Sequence, residues 1–243
     1  MSLQTIKRPS PNHDVRRLPI DMIVLHYTGM QDVEAALQRL CDPAAKVSAH
    51  YLIDEEGRVY SLVDETARAW HAGVASWHGE TDINSCSIGI ELANPGHEIG
   101  YRPFPEAQMA RLEDVCRAVM VRHDISAARV LGHSDVAPGR KMDPGELFDW
   151  PRLAAKGLAL WPDPGPARDA TRQAGDAGDE IAALQVGLAA VGYGIAADGV
   201  FGEETEAVVR AFQRRFRPRL VDGRCDPETL AMLDGLLALF VDL

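Results

Sequence analysis

Apolar and polar positions alternate between two rhythms over the first 160 residues. Residues 20–27 (IDMIVLHY) are apolar on both faces, which predicts a buried central strand. Over 32–40, Val33, Ala36, Leu37 and Leu40 recur at helical spacing. Residues 49–53 and 58–63 flank Asp54-Glu55-Glu56-Gly57 and read as a hairpin. Residues 85–92 (SCSIGIEL) predict another strand. Residues 105–123 predict an amphipathic helix with Met109, Leu112, Val115, Cys116, Val119 and Met120 on one side. Pro105 opens that helix, where a missing N–H costs little. A short strand at 129–131 leads to a loop at His133, and a brief helix over 150–157 closes the pattern. Alternating strands and helices imply an α/β domain over residues 1–160.

The rhythm then breaks. Residues 161–178 (WPDPGPARDATRQAGDAG) are rich in Pro, Gly, Ala and Asp without periodicity, so 161–176 reads as a linker. From 177 to 243 three short helical patterns follow: Ile181, Leu184, Leu188 and Val191; then Val208, Phe212 and Phe216; then 227–239. A loose repeat joins them, because Asp198-Gly199 and Asp222-Gly223 each lead to an acidic first helical turn. Each helix is too short to stand alone, so the three must pack as one small module.

Composition narrows the function classes. The 243 residues suffice for two cores, and 46% apolar with 25% charged residues exclude a disordered chain. A net charge of −11 argues against nucleic acid or anionic membrane as partners. No apolar run approaches the roughly 18–20 residues of a membrane span. Residues 1–17 are polar and lack a secretory signal, so the sequence as it stands reads as cytoplasmic; a leader lost upstream would place it in the periplasm. Cys41, Cys86, Cys116 and Cys225 are widely spaced and read as buried reduced thiols, with Cys86 in a strand pattern and Cys116 in a helix pattern.

Candidate chemistry lies at the edges of predicted strands and in loops. His26 is near the end of the buried strand, while His133 and Asp143 bracket one loop. Two imidazoles and one carboxylate suit a single Zn²⁺ with an open fourth position for water. On spacing alone the set is a weak pattern in a chain with eight His and many carboxylates. In the strand, Ser87, Gly89 and Glu91 share one face and Ile88, Ile90 and Leu92 the other, so small neighbours leave room above the Glu91 carboxylate. Lys141, two residues before Asp143, shares its side of an extended loop.

Five stretches in order change the weight of these residues: Ile23 to Thr28, Ser48 to Ile53, Ala69 to Gly73, Ser87 to Glu91, and the loop from His133 to Gly145. Over residues 8–160 the chain resembles the zinc amidases that include bacterial N-acetylmuramoyl-L-alanine amidases and animal peptidoglycan recognition proteins. It is most similar to the branch acting on anhydromuramoyl-peptides. The resemblance implies a mixed central sheet flanked by helices, with His26, His133 and Asp143 as zinc ligands. It further implies Glu91 as general base toward the attacking water and Lys141 as the group that stabilises the oxyanion. His50, Tyr51 and His71 fall in the shared words and become candidates for lining the cleft or orienting ligands. Trp70 and Trp77 suit core packing better than sugar stacking, and Asp135 reads as a turn or capping residue.

Residues 177–243 resemble the small peptidoglycan-binding domain attached to wall hydrolases, through Ile181 to Gln185, Asp198 to Gly202, Thr205 and Val209 to Gln213. Arg210, Arg214, Arg215, Arg217 and Arg219 form a basic stretch that reads as a solvated charged face, with acidic glycan-peptide as its alternative partner. The implied partner is a muropeptide or peptidoglycan, and the implied reaction is hydrolysis of the amide between N-acetylmuramic acid, or its 1,6-anhydro form, and L-alanine. Two alternatives remain at this point: a noncatalytic muropeptide recognition protein, and a zinc peptidase cutting within the stem peptide.

Overall fold

The computed structural model describes residues 3–166 and 169–241. Met1, Ser2, Ala167, Arg168, Asp242 and Leu243 lie outside the described residues. They belong to the polar N-terminal stretch, the expected linker and the end of the expected C-terminal module. The chain begins with β1 (Ile6–Lys7), β2 (His13–Val15), β3 (Met22–Tyr27), α1 (Val33–Cys41), β4 (Tyr51–Ile53), β5 (Val59–Ser61) and β6 (Ala67–Ala69). It continues through α2 (Ile83–Cys86), β7 (Ser87–Leu92), α3 (Gly96–Ile99), α4 (Glu106–His123), β8 (Val130–Gly132), α5 (His133–Val136) and α6 (Trp150–Ala155). Helices α7 (Asp179–Val191), α8 (Glu203–Phe216) and α9 (Pro227–Val241) complete it.

The sheet is mixed, in the order β1-β5-β4-β7-β3-β8. Its centre, β4-β7-β3-β8, is parallel, while β4 and β5 form the antiparallel hairpin expected around Asp54 to Gly57. Strand β3 is buried on both sides, as its unbroken apolar run requires. One face of the sheet packs on α4 and α6 through Ile23, Leu25, Ile88, Ile90, Met109, Leu112, Val115 and Leu153. Asp32 caps α1 by accepting from the Ala35 N–H, which starts the helix where the pattern placed it. One boundary differs from expectation: Cys86 closes the helical turn α2 rather than entering the strand. Asn84 in that turn accepts from the His71 and Ala72 N–H groups, a polar fixture that hydropathy does not reveal. All four cysteines are free, with Cys41 half-buried and the others buried.

The opposite face of the sheet carries the C-terminal helices. Met22, Val24, Trp77, Leu131 and Val136 share one core with Leu184, Leu188, Val208, Phe212 and Leu236. The internal repeat has a structural cause. The Gln185 amide donates to Asp198, the Val200 carbonyl and Thr205 and accepts from the Gly199 N–H. Gln213 does the same for Asp222, Arg224, Thr229 and Gly223. Each buried glutamine thus satisfies one Asp-Gly turn and ties it to the helix that follows.

Between the two parts lies a buried polar cluster. Asp135 accepts from the Gly132 N–H at 2.8 Å, as a capping residue would, and also from Arg215 at 2.8 Å and the Tyr193 hydroxyl at 3.0 Å. The Arg215 guanidinium stacks 4.1 Å from the Trp150 ring centroid. The basic stretch is therefore only in part a solvated face: Arg219 is exposed and Arg210 and Arg214 are half-buried. Arg215 and Arg217 are only 3% and 2% exposed, and each is ion-paired. Arg210 is held by Glu206 and Arg219 by Glu228. Within 161–176, Gly165 donates to the Ala231 carbonyl and Arg172 bridges Cys225, so this segment packs along the C-terminal helices. Trp77 packs edge-on against Tyr193 in the shared core. Among the described residues no helix is long and apolar enough to cross a membrane.

Candidate active site

The parallel strands deliver their chemistry at their carboxyl ends, where ligands bind in open α/β sheets. His26 and Glu91 are register partners on β3 and β7, so both side chains leave the same face of the sheet. Strand β8 stops at Gly132, and the chain turns at once into α5 with His133 as its first residue. Asp143 returns from the following loop, anchored where its carbonyl accepts from the Ser134 N–H at 2.8 Å. The fold thereby brings together three residues that lie 107 and 10 positions apart.

Their ligand atoms form a small triangle. His26 Nδ1 to His133 Nδ1 is 3.0 Å, His26 Nδ1 to Asp143 Oδ2 is 3.0 Å, and His133 Nδ1 to Asp143 Oδ2 is 2.9 Å. All three residues are buried. Hydrogen bonding around them fixes the tautomers. The Ala72 carbonyl accepts from His133 Nε2 at 2.9 Å, which leaves Nδ1 as a lone pair. On the other side, the Ser87 hydroxyl donates to the Ile83 carbonyl and so accepts from His71 Nε2 at 3.2 Å. His71 Nδ1 is then an acceptor for His26 Nε2–H at 3.0 Å, and His26 Nδ1 is likewise a lone pair. Burial and the neighbouring His133 lower the His26 pKa to about 4, which keeps that ring neutral.

Two imidazole lone pairs and a carboxylate oxygen therefore converge with no proton of their own between them. Such a set repels itself unless a cation sits against it. Its edges are close to the ~3.3 Å that separates ligands about 2.0 Å from a tetrahedral ion. The residues fit a divalent metal ion of the zinc type.

The three line one cleft of about 440 Å³ with Glu91, His71, Tyr27, His97, Arg140 and Lys141. Glu91 is 8% exposed, and its Oε2 has no hydrogen-bond partner among the described residues. Burial, then the Asp143 charge, pushes its pKa well above the ordinary value, with Lys141 opposing.

The remaining candidates separate. His71 reaches the site, but as a support to His26, and it occupies the space over Gly89 that the strand pattern had assigned to Glu91. A Cβ on residue 89 would lie 2.5 Å from the His71 ring, so only glycine admits that imidazole. His50 lies behind His71, ring centroids 5.8 Å apart, and accepts from the Gly89 N–H; it does not line the cleft. Tyr51 is not at the site. It alternates to the α4 side of the sheet, packs with Ile53 and Ile90, and donates its hydroxyl to Glu65. Sequence reasoning missed Arg140, whose guanidinium holds the Ala72 and Val74 carbonyls, and the wall made by Tyr27 and by His97, which Glu146 holds. The Gly-Arg-Lys run before Asp143 marked Arg140; nothing in the hydropathy pattern marked His97.

Fold and site define the class: an α/β domain whose parallel strands present a convergent imidazole–carboxylate set able to hold a catalytic metal. The chain belongs to the N-acetylmuramoyl-L-alanine amidase family, whose sequence model matches residues 16–146, and a peptidoglycan binding domain model matches 177–233. N-acetylmuramoyl-L-alanine amidase AmiD of Escherichia coli K12 is 38% identical over 233 residues, covering 90% of this chain and 82% of the relative. The 1,6-anhydro-N-acetylmuramyl-L-alanine amidase AmpD of Haemophilus influenzae is 35% identical over 163 residues, 59% of this chain and 86% of its own. In structure, the E. coli AmiD complex with anhydro-N-acetylmuramic acid-L-Ala-D-gamma-Glu-L-Lys superposes with a TM-score of 0.77 at 33% identity, covering 99% of this chain and 93% of the other. AmpDh3 from Pseudomonas aeruginosa, in complex with anhydromuramic pentapeptide, gives 0.77 at 28% identity, with 98% and 96% covered.

Proposed function

We propose that this chain hydrolyses the amide between N-acetylmuramic acid, including its 1,6-anhydro form, and L-alanine, with one Zn²⁺ held by His26, His133 and Asp143. The observation that carries the reading is the triangle of His26 Nδ1, His133 Nδ1 and Asp143 Oδ2, in a cleft that also holds Glu91 and Lys141. The metal, when bound, supplies Lewis acidity that polarises the carbonyl and acidifies water. Glu91 takes the proton from the attacking water and returns it to the departing L-alanine nitrogen. Its raised pKa suits both halves of that task, since a base that must later act as an acid works best near the operating pH. Lys141, half-buried at the cleft, donates to the carbonyl oxygen as charge develops there. His71 and Ser87 hold the His26 ring in the tautomer that faces the metal.

The substrate class rests on the relatives: AmiD and AmpDh3 are solved with anhydromuropeptides in complex. A recognition protein without catalysis would be expected to lack a metal ligand, whereas His26, His133 and Asp143 are all present here. Mass spectrometry of digests of anhydromuramoyl-tripeptide and of intact sacculi, with zinc and with chelator, tests the reading. Chelator-sensitive release of peptide with free N-terminal L-alanine is the expected product. Release of amino acids with muramic acid still joined to alanine would make the chain a stem peptidase instead.

A further inference from the structure

Beside the catalytic cleft lies a second hollow of about 300 Å³, walled on one side by Gly139, Lys141 and Met142 and on the other by helix α8. Lys141 and Met142 line both cavities, so the two adjoin at the loop that carries Asp143. The far wall is thus built by the C-terminal module.

The charges on that wall are uneven. Glu206 is neutralised by Arg210, at 2.7 Å. Arg214 is half-buried in the same wall yet takes part in no hydrogen bond or ion pair with any described residue. Glu146, Arg210, Tyr27 and Tyr101 act on its charge, and Glu146 is already paired with His97 at 3.1 Å. Arg214 shares its hollow with Lys141 and Met142, which also wall the catalytic cleft, so it lies next to the site. Arg214 is the one member of its basic stretch without an ion-pair partner among the described residues, and a partly desolvated guanidinium with free donors is a ready carboxylate receptor.

We propose that Arg214 of the C-terminal module forms a substrate subsite that binds a free carboxylate of the stem peptide. This rests on the amidase reading above. A γ-linked glutamate, as in the peptide of the AmiD complex, leaves its α-carboxylate free, and the C-terminal residue of that peptide supplies another. The module is in this view part of the active site, contributing specificity to a substrate whose scissile bond lies against β3 and β7.

The test uses the full-length, zinc-loaded protein and two substrates: anhydromuramoyl-L-Ala-γ-D-Glu-L-Lys with free carboxylates, and the same peptide with them amidated. Wild type is expected to prefer the free acid. In Arg214→Gln the ratio of kcat/KM, free acid over amide, falls roughly tenfold, the usual scale for one charge-assisted hydrogen bond, with the change carried by KM. Arg214→Lys, which keeps the charge, retains most of the preference. An unchanged ratio in Arg214→Gln overturns the subsite, as does a loss of equal size on both substrates. Wild type that cleaves neither substrate overturns the amidase reading and the subsite with it.

Discussion

Replacing Arg215 by Met is the sharpest probe of how the two parts of this protein are joined. Arg215 is 3% exposed, and its partner Asp135 is 1% exposed. Removing the guanidinium leaves a buried carboxylate with two neutral donors, the Gly132 N–H and the Tyr193 hydroxyl. Breaking a buried pair by deleting one partner costs about 3–5 kcal/mol. Loss of the stacking on Trp150 adds about 0.5–2 kcal/mol. Against a typical stability of about 5–15 kcal/mol, this is a large fraction. Asp135→Asn alone is also destabilising, because it leaves the Arg215 cation buried without its counter-charge. The double variant recovers part of the loss, since two neutral groups no longer carry an unpaired charge, and the coupling energy is at least ~2 kcal/mol. Urea unfolding of the four proteins in chelator, followed by tryptophan fluorescence, measures the cycle. Arg215→Met within about 1 kcal/mol of wild type, or a coupling near zero, would refute the buried pair and with it the fixed docking of the C-terminal helices.

Three further outcomes follow from the geometry. Ser87→Ala removes the acceptor that orients His71, and zinc affinity, read by competition with a chromophoric chelator, is expected to fall about 10–100-fold with little change in Tm; wild-type affinity would remove the relay from the account. Glu65 is opposed by its own burial, but Arg122, Tyr51 and His123 hold its pKa down to about 2. A depressed carboxylate stabilises the fold fully above the unfolded value of about 4.3 and loses that contribution as pH falls toward 2. Discounted for the exposed Arg122, the difference between wild type and Glu65→Gln is expected to be ~2 kcal/mol at pH 7 and to vanish near pH 2; a pH-independent difference would contradict it. Lys141→Ala is expected to keep zinc and lower kcat by about 10²–10³-fold, measured by peptide release; unchanged kcat would leave the oxyanion without its donor.

Much of this architecture is readable from residue order alone. The apolar run before His26, the hairpin around Asp54, and the helix from Glu106 to His123 follow from period and breakers, because burial there is continuous and local. The site residues were visible as isolated polar groups at strand ends, yet spacing could not unite them. Only the parallel register of β3, β7 and β8 places His26, Glu91 and His133 side by side. Tyr51 was misplaced because a strand buried on both faces gives no alternation to assign its side. Within the basic stretch Arg215 was misread for a related reason: a charge on a helix looks solvated until its partner, here Asp135 in the other domain, is known. The Ser87–His71 support was hidden in residues whose small size suggested empty space.

The central claim is that Glu91 and a metal held by His26, His133 and Asp143 act together on the muramoyl–alanine amide. Glu91→Gln tests it most directly, with zinc content and peptide release from anhydromuramoyl-tripeptide measured on the same preparation. One zinc per chain and a loss of turnover of at least about 10²-fold relative to wild type is the predicted result. Zinc-loaded Glu91→Gln that releases peptide at the wild-type rate would contradict it.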